Sequence, residues 1–133
     1  MPYFLALLAQ VCGKAGRVEE GLTVLDEAMV EAEAHDEHWW DAELHRLRGE
    51  LLLVQGIDAG EVEVVFCRAI EMARGQQARA LELRAATSLA RLRIAQGRAD
   101  DAREVLQPVH GWFTEGFETP DMQAASALLA QLA

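Results

Sequence analysis

Apolar residues recur at steps of three and four along almost the whole chain, the period of helices that turn one face to a core. The clearest instance is His38–Leu53, HWWDAELHRLRGELLL, where Trp40, Leu44, Leu47 and Leu51, with Val54 just beyond, fall on one stripe. Tyr3–Lys14 forms an apolar helix before it, and Arg17 to about Ala34 a second helix with Leu22, Leu25, Ala28, Met29 and Ala32 inward. After the central helix, Ala59–Gly75 turns Val62, Val65, Phe66, Ala69, Ile70 and Ala73 inward, and a fifth helix ending near Gln96 does so with Leu81, Ala85, Leu89, Leu92 and Ile94. A sixth begins near Ala99 and contains Pro108, which removes a backbone donor and should kink it. Gly116 with Phe117 suits a left-handed C-cap, and Thr119-Pro120-Asp121 starts a seventh helix with Met122, Ala125, Leu128, Leu129 and Leu132 inward.

The punctuation repeats. Gly16, Gly56 and Gly97 close helical patterns at intervals of forty and forty-one residues. Aligned on them, a small residue of each first helix falls on Ala9, Gly49 and Ala90; in the second helices Gly21, Val62 and Ala102 are followed four positions on by Leu25, Phe66 and Leu106. The central pair is separated by a loop in which Asp58 and Glu61 have capping-box spacing; Gln76–Ala80 carries no Gly or Pro to mark its turn. The pattern predicts an all-α chain: a right-handed stack of three antiparallel hairpins (about 3–34, 38–75 and 78–115) with a capping helix at 120–132, all in one domain, 1–133. Gly49 takes the position where two helices cross closest.

Composition supports helices. Three prolines, one Tyr and 51% apolar residues fit a folded, strand-poor domain long enough to bury a core without metals or disulfides. No apolar run is long enough to span a membrane, and MPYFLALLAQ lacks the basic start of a signal peptide, which predicts a cytoplasmic protein. Met1-Pro2 running straight into a helix suggests a piece of a longer protein. The net charge of −10 argues against nucleic acid and anionic membrane as partners. Ten acidic residues and no Lys or Arg lie between Val18 and His45, either a solvated helix face or a docking surface for a basic partner.

Catalytic chemistry has little to work with. Cys12 and Cys67 are isolated and read as reduced core residues. His35, His38 and His45 straddle a helix boundary without the spacing that puts two metal ligands on one face. Glu19-Glu20 and Asp100-Asp101 suit first turns, where the helix dipole favours negative charge. No Ser, Cys or Lys stands near a base with an orienting partner, so no enzyme activity, cofactor or metal is expected. Trp39 and Trp40 point about 100° apart on a helix, so one faces the core and the other packs on a neighbouring hairpin or anchors a partner.

The small and large positions resemble those of the tetratricopeptide repeat, with a period of 40 to 41 in place of about 34. WWDAELHRLRGELLL, FCRAIEMARGQQARALELRAATSLARL and GWFTEGFETPDMQAASALLAQL are together similar to the C-terminal repeat region of large bacterial signalling ATPases, in which a nucleotide cyclase or DNA-binding domain precedes a P-loop ATPase and a helical tail. The chain has neither the phosphate-binding loop nor the cyclase region of those proteins. The resemblance therefore implies a tail's role, sensing or docking, in signal transduction.

In a stack of that kind the first helices line the concave surface. The register places Tyr3, Ala6 and Gln10, then Glu43, Arg46 and Glu50, then Arg84, Thr87 and Arg91 there. Glu43 with Arg84 and Glu50 with Arg91 are equivalent residues of neighbouring repeats, spaced for ion pairs; alternatively Arg46, Arg84 and Arg91 clamp a peptide carboxylate. Phe4, Leu7, Leu8 and Val11, with Tyr3, leave the first helix apolar round most of its circumference, so a second copy is expected to cover it. The function expected is a non-catalytic protein or peptide interaction module of a larger regulator; the alternative is a small-molecule sensor, whose site would be a closed, largely apolar pocket.

Overall fold

The computed structural model describes residues 17–36, 38 and 40–132. Six helices follow one another: α1 (Val18–Ala34), α2 (Asp41–Gln55), α3 (Ala59–Gly75), α4 (Arg79–Ala95), α5 (Ala99–Trp112) and α6 (Pro120–Leu132). No strand occurs among the described residues. The expected helix at Tyr3–Lys14 lies outside them.

Two helix boundaries and one core position differ from expectation. α2 starts at Asp41 and not at His38: a turn closed by the Asp41 amide on the His38 carbonyl (3.1 Å) precedes it, with Trp40 as the flanking residue. Val54, placed on the central stripe by periodicity, is 61% exposed. α5 stops at Trp112, one turn after Pro108, where Phe113 is extended (ψ 134°). Proline deprives the carbonyl four residues back of its donor, and the helix ends soon after. Gly116 (φ 77°) is left-handed as expected, but it turns the chain toward α6 and does not cap α5.

The turns share one geometry. Gly56, Gln77 and Gly97 are left-handed, with φ of 88°, 56° and 75°. In each, the amide one residue further on bonds a carbonyl five residues back: Ile57 to Leu52 (3.0 Å), Ala78 to Ala73 (2.9 Å), Arg98 to Arg93 (2.8 Å). The left-handed residue bonds three back: Gly56 to Leu53, Gln77 to Arg74, Gly97 to Ile94. This double closure satisfies carbonyls that a helix end leaves open. Asp36 (φ 52°) is also left-handed, so these positions recur at 36, 56, 77 and 97. The unit is one helix plus one turn, repeated every 20 or 21 residues.

Consecutive helices pack on each other, and α4 also touches α2 and α6. α4 is consequently buried on most sides, through Leu83, Ala85, Ala86, Ser88, Leu89, Ala90 and Leu92. Ile94, expected inside, is only partly buried. A large core joins Val62, Phe66, Leu83, Leu89, Leu106, Met122 and Leu132 across α3 to α6; a smaller one joins Leu25, Ala28, Leu44, Leu47 and Leu51 between α1 and α2. Gly49 lets α2 and α3 meet: a Cβ there would lie 2.5 Å from Cε1 of Phe66 and 2.8 Å from its Cδ1. The aligned small and large residues Gly21, Val62, Ala90, Ala102, Leu25, Phe66 and Leu106 are all buried.

Candidate functional site

Of the residues assigned to the concave surface, the structure gathers three, Glu43, Arg46 and Arg84, into a polar seam linking α2, α4 and α6. Arg46 donates from Nε and Nη2 to Glu43 (2.7 and 3.1 Å) and from Nη1 to Ser88 (3.3 Å). Arg84 bridges the next junction, donating from Nη1 to Glu43 (3.0 Å) and from Nε to Asp121 (2.8 Å). Burial works against the Arg84 charge, but the bond to Asp121 and the charge of Glu43 outweigh it and raise its pKa. The Glu43–Arg84 pair across the repeat boundary is therefore present. Glu43 and Arg46 are mostly covered, their side chains 7% and 14% exposed, so Arg46 already holds a carboxylate of this chain where a peptide clamp was considered.

The other assigned positions do not join the seam. The expected Glu50–Arg91 pair does not form: Glu50 turns to Arg46 Nη1 (3.9 Å), and Arg91 stands exposed. Thr87 is 5% exposed, with its hydroxyl donated to the Leu83 carbonyl (2.8 Å), and faces packed helices where a groove was expected. Tyr3, Ala6 and Gln10, and the dimer-surface residues Phe4, Leu7, Leu8 and Val11, lie outside the described residues, as do Cys12 and Trp39.

His38 sits before α2 among carboxylates. Its Nδ1 is 3.0 Å from Asp41, and its Nε2 is 3.1 Å from Asp36 and 3.9 Å from Glu33. The hydrogen bond to Asp41 raises its pKa; slight desolvation opposes this, and the charges of Asp41, Glu33 and Asp36 add to the rise. His45 bonds the Asp41 carbonyl through Nδ1 (3.0 Å). No group of three or more potential ligands is arranged for a metal among the described residues. Cys67 is half-buried, and burial pushes its thiol up, away from the reactive thiolate.

Two clefts open along the edge where α2, α4 and α6 begin. The larger, 590 Å³, lies among the start of α4, the end of α5 and the start of α6, with Leu83 and Met122 at its base and Trp112, Phe113, Glu115 and Asp121 around it. Trp112 and Phe113 meet edge to face (centroids 5.3 Å), and the Arg79 guanidinium lies 4.8 Å over the Trp112 ring. Trp112 remains 54% exposed. The second cleft, 540 Å³, is lined by His38, Trp40, Gln76, Ala78 and Leu81. The larger cleft was not anticipated as a site. Its signal in the sequence is the aromatic pair Trp112-Phe113 just after Pro108, where the helix ends and helical periodicity can no longer place side chains.

No family model matches the chain, and no solved structure matches it. It is similar to an uncharacterized protein of Rhizobium meliloti (strain 1021), 36% identical over 98 residues. That alignment covers 74% of this chain but only 10% of the relative, so the chain spans about a tenth of the length of the protein it matches. No helix among the described residues is long and apolar enough to cross a membrane.

Proposed function

We propose that this chain is a non-catalytic helical-repeat module that serves a larger cytoplasmic bacterial regulator, a signalling ATPase or transcription factor, by presenting a surface to a protein or peptide. The observation that carries the reading is the helix-and-turn unit recurring every 20 or 21 residues with the same left-handed closure. Units of this kind bury their faces on neighbours and leave an extended outer surface for recognition. In this reading, with the expected N-terminal helix, they form three antiparallel hairpins in a right-handed, tetratricopeptide-like stack with α6 as cap. The match to a short segment of a protein many times longer supports the role of a module. The interior seam supports a surface role as well, since its charged groups are directed at one another.

A second reading is favoured by one feature: the 590 Å³ cleft, of a size that small ligands occupy, with Trp112 and Phe113 in its walls and Leu83 and Met122 at its base. Both readings are tested by deleting the matched segment from the Rhizobium protein. The module reading expects ATP hydrolysis to persist while its regulation by a partner is lost. Absence of ATP hydrolysis from the intact protein would contradict the ATPase assignment. Loss of basal turnover in an otherwise folded deletion protein would contradict a non-catalytic role.

A further inference from the structure

The two clefts along the α2–α4–α6 edge are the same place in successive repeats. Gln76, Ala78 and Leu81 line the smaller; Gly116, Thr119 and Met122, 40 or 41 residues later, line the larger. Each lies between the starts of two helices that touch directly, α2 with α4 and α4 with α6. Packed helices are ~8–10 Å apart, so the clefts are offset by about that distance. A polyproline II chain rises ~3.1 Å per residue with three residues per turn, which brings every third side chain to one side at ~9 Å intervals. The spacing of the clefts suits such a chain.

The surroundings set the chemistry of the occupant. The larger cleft joins a half-exposed indole, which carries the Arg79 guanidinium over one face, and a phenyl ring to the carboxylates of Glu115 and Asp121, with exposed Glu118 beside them. Asp121 is engaged by Arg84, whereas Glu115 and Glu118 form no ion pair among the described residues. Around the smaller cleft stand Glu33, Asp36 and Asp41, gathered on His38. Arg79 already demonstrates the favoured contact, a guanidinium over Trp112. A long cationic side chain lays its methylene stem on aromatic and aliphatic surface and keeps its charge at a carboxylate. The chain's net charge of −10 would draw such a partner in.

We propose that this edge binds an extended, basic peptide segment, with cationic side chains three residues apart entering the clefts at Trp112 and at Trp40. The proposal rests on the protein-docking reading and assigns it a site and a partner chemistry. It differs from the interior seam, whose arginines are occupied, and from the acidic face of α1, where Glu27, Val30 and Glu31 border a more open hollow without an aromatic.

The test uses the 133-residue chain and three fluorescein-labelled peptides: four repeats of Lys-Pro-Leu, of Gln-Pro-Leu and of Glu-Pro-Leu, compared by fluorescence anisotropy at low and physiological salt. The lysine peptide should bind, more weakly as salt rises, and the other two should not. Trp112→Ala and, independently, Glu115→Lys should each weaken binding by about tenfold or more, with circular dichroism unchanged. Equal binding of the three peptides would overturn the proposal. Binding that survives Trp112→Ala and Glu115→Lys but is lost in Glu27→Lys with Glu31→Lys would also overturn it, moving the site to α1 and leaving the docking reading intact. Failure of all three peptides to bind would overturn it too, while the deletion experiment decides the docking reading separately.

Discussion

At the scale of single residues, Gly49 shows how one small side chain sets the distance between two helices. Glycine inside a helix costs about 1 kcal/mol relative to alanine, so alanine would be preferred there on propensity alone. A Cβ would sit 2.5 Å from the Phe66 ring, well inside contact distance, and the ring is fully buried with nowhere to retreat. Overpacking costs ~1–3 kcal/mol and outweighs the propensity gain. Gly49→Ala should therefore lower the thermal midpoint, and Gly49→Leu should lower it far more, by ~3 kcal/mol or beyond. Adding Phe66→Leu to Gly49→Ala should recover part of the loss, because the two residues share one space. An unchanged melt for Gly49→Leu would show that α2 and α3 do not cross here. This position was legible in the sequence, because alignment on the turn glycines put the residue with no side chain opposite the largest one. Thr87 and Arg91 were less legible. Periodicity says which residues share a face but not which neighbours cover it, and α4 is covered on almost every side.

At the scale of elements, the turns explain why the repeat is regular although its markers are not. Gly56 and Gly97 announce their turns; Gln77 adopts the same left-handed backbone without glycine, so no residue type marks that turn, and the end of α3 at Gly75 was legible from apolar periodicity alone. A left-handed residue with a Cβ costs ~1–2 kcal/mol, partly offset by the greater entropy glycine loses on folding. Gln77→Gly is expected to stabilise the chain by ~0.5–1 kcal/mol, a rise of a few degrees in melting temperature, and Gly97→Ala to destabilise it by about 1 kcal/mol. Melting curves of the two variants moving in the same direction would contradict the shared turn.

The turn after α4 is further held by Glu63 of α3. It accepts from Arg93 Nε (3.0 Å) and from Arg98 Nη1 (3.3 Å to Oε2), while Arg98 Nε also donates to Asp101 (2.8 Å). Burial tends to raise the Glu63 pKa, but the hydrogen bonds and charges of Arg93 and Arg98 prevail and lower it. With the folded pKa below the unfolded one, the stabilisation is present above the ordinary carboxylate range, near pH 4.5, and disappears as pH falls through the folded value. Glu63→Gln should accordingly cost about 1 kcal/mol near neutral pH and progressively less in acid. Urea unfolding at a series of pH values checks this; a penalty that grows on acidification would reverse the sign of the argument.

At the scale of the whole molecule, the all-helical class, the seam pair Glu43–Arg84 and most core stripes follow from apolar periodicity and register. The clefts do not, because they arise where helices end. Proline at 108, the stop at Trp112 and the left-handed turn at Gly116 together bring aromatic loop residues beside the starts of α4 and α6, a meeting that depends on three elements separated in sequence. The polar seam and the clefts also suggest a division of labour. Charges inside the packing link successive helices, and in the proposed account recognition is left to the edge.

The central claim, a docking module and not a small-molecule sensor, is tested most directly by amide chemical-shift mapping of the isotopically labelled chain. It would be titrated first with a mixture of lysine- and arginine-containing peptides, then separately with a mixture of small metabolites. The docking account predicts that the peptides shift a continuous row of amides from His38 through Ala78 to Thr119, and that the metabolites leave these signals in place. Shifts confined to the Trp112 cleft with metabolites, and none with peptides, would contradict it and make the chain an effector sensor.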